Sequence, residues 1–364
     1  MGDGVPRLAG RGELTQTGTR GDRAQVGAAL AARAYEPGDE AAILDIFDRV
    51  HGRPRTIEEW RWQFRQAPAG PALVHLLIHD GAPVGHLAHM GFDMWLDGRR
   101  VRLALGCDTM ILPEYRGQGG VRRLVQSFLA DSRGHDVRLG FPTDRTVTLM
   151  SRHGGGSLLG SLPKWVRLLT RPRELGAGGR LAAPVVKLHG RLVSRPSPRL
   201  EVTALEDLGR GVDELASDSR SFAPCIRIRD AAYLRWRWLE RTGAQWTILG
   251  VLRERELHGF TVIGVQDSPG GRRGRVVDLL ARDSQSLRAL LCESVRRLAA
   301  AGCERVVCEY KDPRPWARRA FLRAGFVPLR GDLKVVGRAL SEEAGTVPEK
   351  LDAWYLTRGD TDLA

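Results

Sequence analysis

The chain has 364 residues, more than one ordinary domain needs and enough for two. Its 42% hydrophobic content fits a soluble globular protein, and no apolar run approaches the length of a membrane span. A formal charge of +13 would suit nucleic acid, an anionic membrane surface or an acidic carrier protein, yet only five of the 56 basic residues are lysine and the arginines are scattered, so charge alone selects none of these.

Residues 1–32 are rich in Gly and Arg with no apolar core. They read as a disordered tail, not a secretory signal. Five cysteines, an odd number with no C-x-x-C pair, predict reduced thiols and a cytoplasmic location. Arg33 to Tyr35 can form a first strand, and Glu36-Pro-Gly-Asp39 a turn and N-cap region. Ile43, Leu44, Ile46, Phe47 and Val50 then make one helical face. Thr56 to Phe64 is a short aromatic helix that the prolines at 68 and 71 end. Leu73–Ile78 and Val84–Phe92 read as strands joined by the hairpin turn Asp80-Gly81, and Asp97-Gly98 signals another hairpin. The return strand runs from Leu103 to Leu112. Beyond the helix that follows come a strand at Val137–Phe141, a helix with Val147, Leu149 and Met150, and a strand near Trp165–Leu169. Residues 171–199 are rich in Arg, Gly and Pro and read as a linker, with 182–193 as a possible helix.

From residue 200 the pattern repeats. Trp60-Arg-Trp62 recurs as Trp236-Arg-Trp238. Around it lie a strand at Leu200–Ala204, a helix at Asp207–Ala216, paired strands at Trp246–Leu252 and Phe260–Val265, and a central strand at Val276–Ala281. A helix bearing Leu287, Leu291, Val295 and Leu298, a strand at Arg305–Glu309 and a helix at Pro315–Ala324 complete it. An internal repeat argues for two like domains, 33–170 and 200–364.

The stretch with the most chemistry is Cys107-Asp-Thr-Met-Ile-Leu-Pro-Glu-Tyr-Arg-Gly-Gln-Gly-Gly-Val121. An apolar strand gives way to a glycine-rich turn and then to a helix with Val121, Leu124, Val125 and Phe128 on one face. Glycines at a helix entrance let backbone approach a ligand. The unpaired first-turn N–H groups and the helix dipole then favour a negative group such as a diphosphate. In the second half the matching turn is Arg282-Asp-Ser-Gln-Ser286. It has no glycine, and Asp283 is placed to cap the helix.

This stretch resembles the acyl-CoA-binding motif of the GNAT N-acyltransferases, [R/Q]-x-x-G-x-[G/A]: Arg116 matches the first position and Gly119 the fourth, while Val121 stands where the family prefers Gly or Ala. The tail Trp354 to Asp362 and the Trp-Arg-Trp segments resemble a tandem GNAT-like family. The resemblance implies an α/β fold with a mixed sheet (α+β), built as two tandem GNAT-like domains, the second degenerate. It implies acyl transfer from acetyl-CoA or another acyl-CoA to an amine by direct attack. Donor contacts would fall on backbone at Ile111 and Leu112 and along Arg116, Gly117, Gln118, Gly119, Gly120 and Val121, with the Ile111 N–H facing the developing oxyanion.

The general base and acid stay open. Asp108 is a candidate base, but strict alternation puts it and Ile111 on opposite strand faces, so it could act only where the strand splays or bulges. His86 and His89, three apart on a strand, face opposite ways and make a poor metal chelate. Glu58 and Glu59 read as a solvated helix face. The family's acid is a tyrosine. Met150 takes its place, with Ser151 adjacent, and Phe321 in the second half. The four tryptophans fit core better than an acceptor wall. No Walker loop, H-E-x-x-H or G-x-S-x-G is present, and no metal site is expected. Two rival readings remain. One is a transferase using aminoacyl-tRNA, as Fem-type tandem proteins do; the other is a non-catalytic GNAT-like binding protein. An acyl carrier protein could replace free CoA as donor.

Overall fold

The computed structural model describes residues 29–132, 134–169, 200–241, 245–268 and 271–362. The expected tail at 1–32 lies almost wholly outside the described residues, as do the linker at 171–199 and the helix expected at 182–193.

The first half runs β1 (Ala31–Ala34), α1 (Glu40–His51), α2 (Ile57–Arg65), β2 (Leu73–His79), β3 (Ala82–Leu96), β4 (Arg99–Ile111), α3 (Gly120–Asp131), β5 (Val137–Gly140), α4 (Asp144–Gly154), β6 (Ser157–Ser161) and β7 (Lys164–Leu168). Local chemistry explains the boundaries. Both Asp-Gly hairpins have positive φ at each residue, 48° and 77° at Asp80 and Gly81, 49° and 76° at Asp97 and Gly98. That backbone matches the twist of the flanking strands. Gly52 ends α1 in the left-handed region and donates to the Asp48 carbonyl at 2.7 Å. Thr56 and Glu59 form a reciprocal capping box that starts α2, so Glu59 is not merely a solvated face.

The second half runs β8 (Glu201–Ala204), α5 (Arg210–Asp218), β9 (Cys225–Arg227), α6 (Ala231–Leu234), β10 (Thr247–Arg253), β11 (Glu256–Ser268), β12 (Gly271–Ala281), α7 (Ser284–Ala300), β13 (Arg305–Lys311), α8 (Pro315–Arg323), β14 (Val327–Leu329), β15 (Lys334–Ala339) and β16 (Trp354–Thr357). The second Trp-Arg-Trp segment lies in a π-type turn, Arg235–Leu239.

The strand order in the first half is β1-β2-β3-β4-β5-β15-β6. In the second it is β8-β10-β11-β12-β13-β7-β14. The two orders are alike, and each half receives one strand from the other. β7 enters between β13 and β14, and β15 enters between β5 and β6. The halves are joined again where β9 pairs with β3, and β16 with both β9 and β13.

The Trp-Arg-Trp segments meet at this junction. Trp62 and Trp236 stack with centroids 5.2 Å apart, and each indole N–H donates to the other's carbonyl, at 2.9 and 3.0 Å. All four tryptophans are buried, so they form core and not an acceptor wall. An aromatic pair adds roughly 0.5–1.5 kcal/mol beyond its burial. Among the described residues no helix is long and apolar enough to cross a membrane.

Candidate functional site

The site begins with a break in β4. Ala88 pairs with Cys107 and His86 with Met110, so Asp108 and Thr109 together oppose Leu87. Asp108 takes φ 45°, rare for a residue with a side chain. This is a β-bulge, and it removes the strict alternation expected between Asp108 and Ile111.

The bulge coincides with a fork. β4 pairs with β5 in parallel from Leu103 to Gly106, and the pairing stops at Gly106 and Gly140. From residue 107 to 111 the β5-facing edge of β4 has no strand partner among the described residues. Leu112 donates to the Val84 carbonyl at 3.0 Å. By antiparallel alternation Ile111 therefore turns its N–H and C=O away from β3, into the fork. Its carbonyl accepts from Arg116 Nε at 3.0 Å, which leaves the N–H aimed at the gap. A Cβ added to Gly140 on the far side would meet nothing within 4 Å.

The fork leads to α3. Gly117 and Gly119 have φ 80° and 78°, and Gly119 holds the N-cap with no side chain capping the helix. The turn residues Arg116, Gly117, Gln118 and Gly119 are exposed, Val121 is half-buried, and Leu112 is buried. Gly120 serves packing: a Cβ there would lie 2.5 Å from Leu77 Cδ2 and 3.0 Å from Ile111 Cδ1. Arg122 and Arg123 are exposed on the first turn. The α3 entrance thus has free N–H groups and two nearby cations, an arrangement that attracts a polyanion.

The side chain and the carbonyl of Asp108 are both engaged. Its carboxylate pairs with Arg55, whose guanidinium stacks 3.8 Å over Phe47. Its carbonyl meets His86 Nδ1 at 2.8 Å. Asp362 arrives from the far end of the chain, close enough for its carboxyl to feel the charge of Asp108. Burial, and then the negative charge of Asp108, push Asp362 up to about 6. Sequence reasoning missed Asp362. Its only signal was the aspartate-bearing tail Gly359-Asp-Thr-Asp362, whose position depends on β16.

His86 and His89 lie on opposite faces, as the spacing requires. His86 edges Phe64 of α2, and His89 stacks on Phe128 of α3 at 3.5 Å. Burial lowers both, His89 furthest, which favours the neutral imidazole in each. His89 accepts from buried Arg138 Nε at 3.0 Å. Met150 is buried on α4 and accepts a contact from Arg138 at 3.6 Å. Ser151 is half-buried on the same helix.

The second half differs at each matching place. Asp283 caps α7, accepting from the N–H groups of Gln285 and Ser286 at 2.9 and 2.8 Å. The fork between β12 and β13 opens after Val276 and Cys308 and is filled by the chain itself. Tyr310 and Lys311 pair with β16, and the Tyr355 hydroxyl donates to the Leu279 carbonyl. Arg229, fully buried, meets Asp278 at 2.9 Å and Asp360 at 2.5 Å, and Arg227 meets Asp360 at 2.9 Å. Burial alone would raise Asp278, but Arg229 and Arg227 outweigh it and hold the carboxyl below its usual range.

Residues 31–154 match the family model described as an acetyltransferase (GNAT) domain. No curated protein matches the chain. Among solved structures, the chain is similar to a GCN5-related N-acetyltransferase from Anabaena variabilis, at 13% identity and TM-score 0.63, covering 86% of this chain and 73% of that one. It is also similar to a probable N-acyltransferase from Enterococcus faecalis, at 10% identity and TM-score 0.63, covering 87% and 74%. A third is Eis1 from Mycobacterium abscessus, at 16% identity and TM-score 0.54, covering 87% and 75%. At these identities the likeness establishes the fold, a mixed α/β fold of the GNAT kind.

Proposed function

We propose that the chain is an acyl-CoA-dependent N-acyltransferase whose first half binds the donor and whose second half is a copy that has lost donor binding. The observation that carries this reading is the contrast between the two forks. One has an unpaired strand edge leading to an uncapped, glycine-entered helix. The other is filled by β16, and its helix is capped by Asp283. The donor diphosphate would sit on the backbone from Arg116 to Val121, with Arg122 and Arg123 beside it. The pantetheine arm would follow the β4 edge past Ile111 and Leu112.

The thioester carbonyl then lies by the Ile111 N–H, which stabilises the oxyanion as the amine attacks. Asp362, poised near 6, is the better base. Asp108 is held by Arg55, and it serves by raising Asp362. The nitrogen–carbon bond forms, Asp362 takes the ammonium proton, and the tetrahedral intermediate collapses with loss of the CoA thiolate. A thiol with a pKa near 8.5 leaves without a strong acid, so Met150 at the place of the family's tyrosine is compatible with turnover. Ser151, next to Met150 on α4, is the hydroxyl offered for returning that proton. Five free cysteines among the described residues suit a reducing, cytoplasmic setting.

The test is thiol release from acetyl-CoA in the presence of an amine library, with mass spectrometry of the products. Acylated amine supports the reading. Transfer only from aminoacyl-tRNA would favour the Fem-like alternative, and acetyl-CoA binding without transfer would favour a binding protein.

A further inference from the structure

A buried guanidinium lies at the last rung before the fork opens. β4 and β5 part after Gly106 and Gly140. His89 lies over that rung, its Nε2 3.4 Å from where Gly106 would carry a Cβ. Arg138 stands two residues before Gly140 on β5 and is 5% exposed. It donates from Nε to the same His89 nitrogen at 3.0 Å and from Nη2 to the Met150 sulfur at 3.6 Å. The groups that face it are His89 of β3, Met150 of α4, Arg338 of β15 and Phe128 of α3, whose ring centre is 5.5 Å from its Cζ. None is acidic, and no carboxylate pairs with Arg138 among the described residues. A charge held out of water without a counter-charge is costly unless an anion completes it. Burial, then the charge of Arg338, lowers Arg138 to about 10, so it stays a cation at neutral pH. With Gly140, Pro142 and Met150 it lines a cavity of about 10 Å³, room for one water-sized group. In the second half, where the fork is filled, the last rung is Val276 and Cys308, and fully buried Val306 takes the place of Arg138.

We propose that Arg138 is a catalytic residue that receives the departing CoA thiolate: the donor sulfur passes the end of the fork beside Gly140, and the guanidinium holds the charge that forms on it as the bond to the acyl carbon breaks. The inference rests on the acyltransferase reading, which sets the thioester in this fork. The step balances without a proton from Arg138. The amine nitrogen bonds the acyl carbon, its proton goes to Asp362, and the carbon–sulfur electron pair leaves on sulfur beside a fixed positive charge. His89 orients the guanidinium by accepting from Nε, and burial favours its neutral ring, so the charge of Arg138 is left for the sulfur. A cation fixed where water is excluded stabilises a developing anion more than solvent does, with no reorganisation during the reaction. Met150 has no proton to give, so the thiolate is met by charge instead.

The test compares CoA with desulfo-CoA by calorimetry on the full chain, at a series of pH values from about 6 to about 8.5, where a free thiol titrates. Desulfo-CoA lacks only the sulfur, so it reads the remaining donor contacts. A guanidinium beside the bound sulfur favours the thiolate and lowers the value at which the thiol titrates. A fall of about one unit makes the affinity ratio of CoA to desulfo-CoA grow about fivefold across this range, and growth of at least that size is the expected result. Arg138→Gln is expected to flatten the ratio while desulfo-CoA still binds, and Arg138→Lys, which keeps the charge, to retain part of the rise. Asp362 ionises near the start of the range and pushes a neighbouring thiol the opposite way, so it cannot imitate the effect. A wild-type ratio that stays flat or falls with pH overturns the proposal. So does a rise that Arg138→Gln leaves intact. Should that variant fail to fold, the wild-type ratio still decides. Failure of the donor reading is distinct, because then neither CoA nor desulfo-CoA binds.

Discussion

Asp362→Asn should lower activity and raise stability at the same time. The amide keeps the shape of the side chain, but it cannot take a proton. Loss of a positioned general base costs about 10²–10⁴-fold in rate, and that drop is expected in kcat/KM. The stability effect has the opposite sign. In the folded chain Asp362 is raised from 3.8 to about 6, by burial and then by Asp108. Below pH 4 both folded and unfolded states hold the proton and the carboxyl is harmless. Between about 4 and 6 the unfolded state loses it first, so stability falls, and above 6 the loss is constant. Two units correspond to about 3 kcal/mol, and partial exposure brings this to the order of 2 kcal/mol. Urea unfolding at pH 7.5 should show the variant more stable by that order, with the two proteins converging at pH 4. The wild-type rate profile should rise with an inflection near pH 6 that the variant lacks. An unchanged rate, or a rising limb that persists in the variant, would refute the reasoning.

Asp278→Asn leaves Arg229 buried with one anion removed and should destabilise by about 3–5 kcal/mol in urea unfolding. Because Asp278 is held low, the stability it supplies is present above the unfolded carboxyl value near 4 and is lost as pH falls through the lower folded value. Gly120→Ala drives a methyl into Leu77 and Ile111 and should cost about 1–3 kcal/mol; calorimetric melting checks it, and a neutral result would mean the start of α3 yields easily. Asp283→Ala removes a cap with two N–H bonds and should cost about 1 kcal/mol while leaving CoA affinity unchanged. A changed affinity would place donor chemistry in the second half.

Much of the scaffold is legible because it is local. The Asp-Gly hairpins, the α3 stripe and the Asp283 cap each follow from a few adjacent residues. The repeated Trp-Arg-Trp marks the junction, although nothing in the sequence says that Trp62 and Trp236 bond each other. What escapes is non-local. β6, β9, β14 and β15 are short, and the exchange of β7 and β15 is fixed by partners over 130 residues away in sequence. The bulge at Asp108 puts positive φ in the middle of an apolar strand with no glycine or turn pair beside it to signal it. The position of Asp362 depends on β16 being seated against β9 and β13, so no local pattern could assign it to the first half's fork.

A crystal soaked with acetyl-CoA tests the central claim most directly. Density for the diphosphate against the N–H groups that open α3, with the thioester carbonyl beside the Ile111 N–H, is the predicted result. Diphosphate at the start of α7, or a fork left vacant at saturating ligand, would contradict the account.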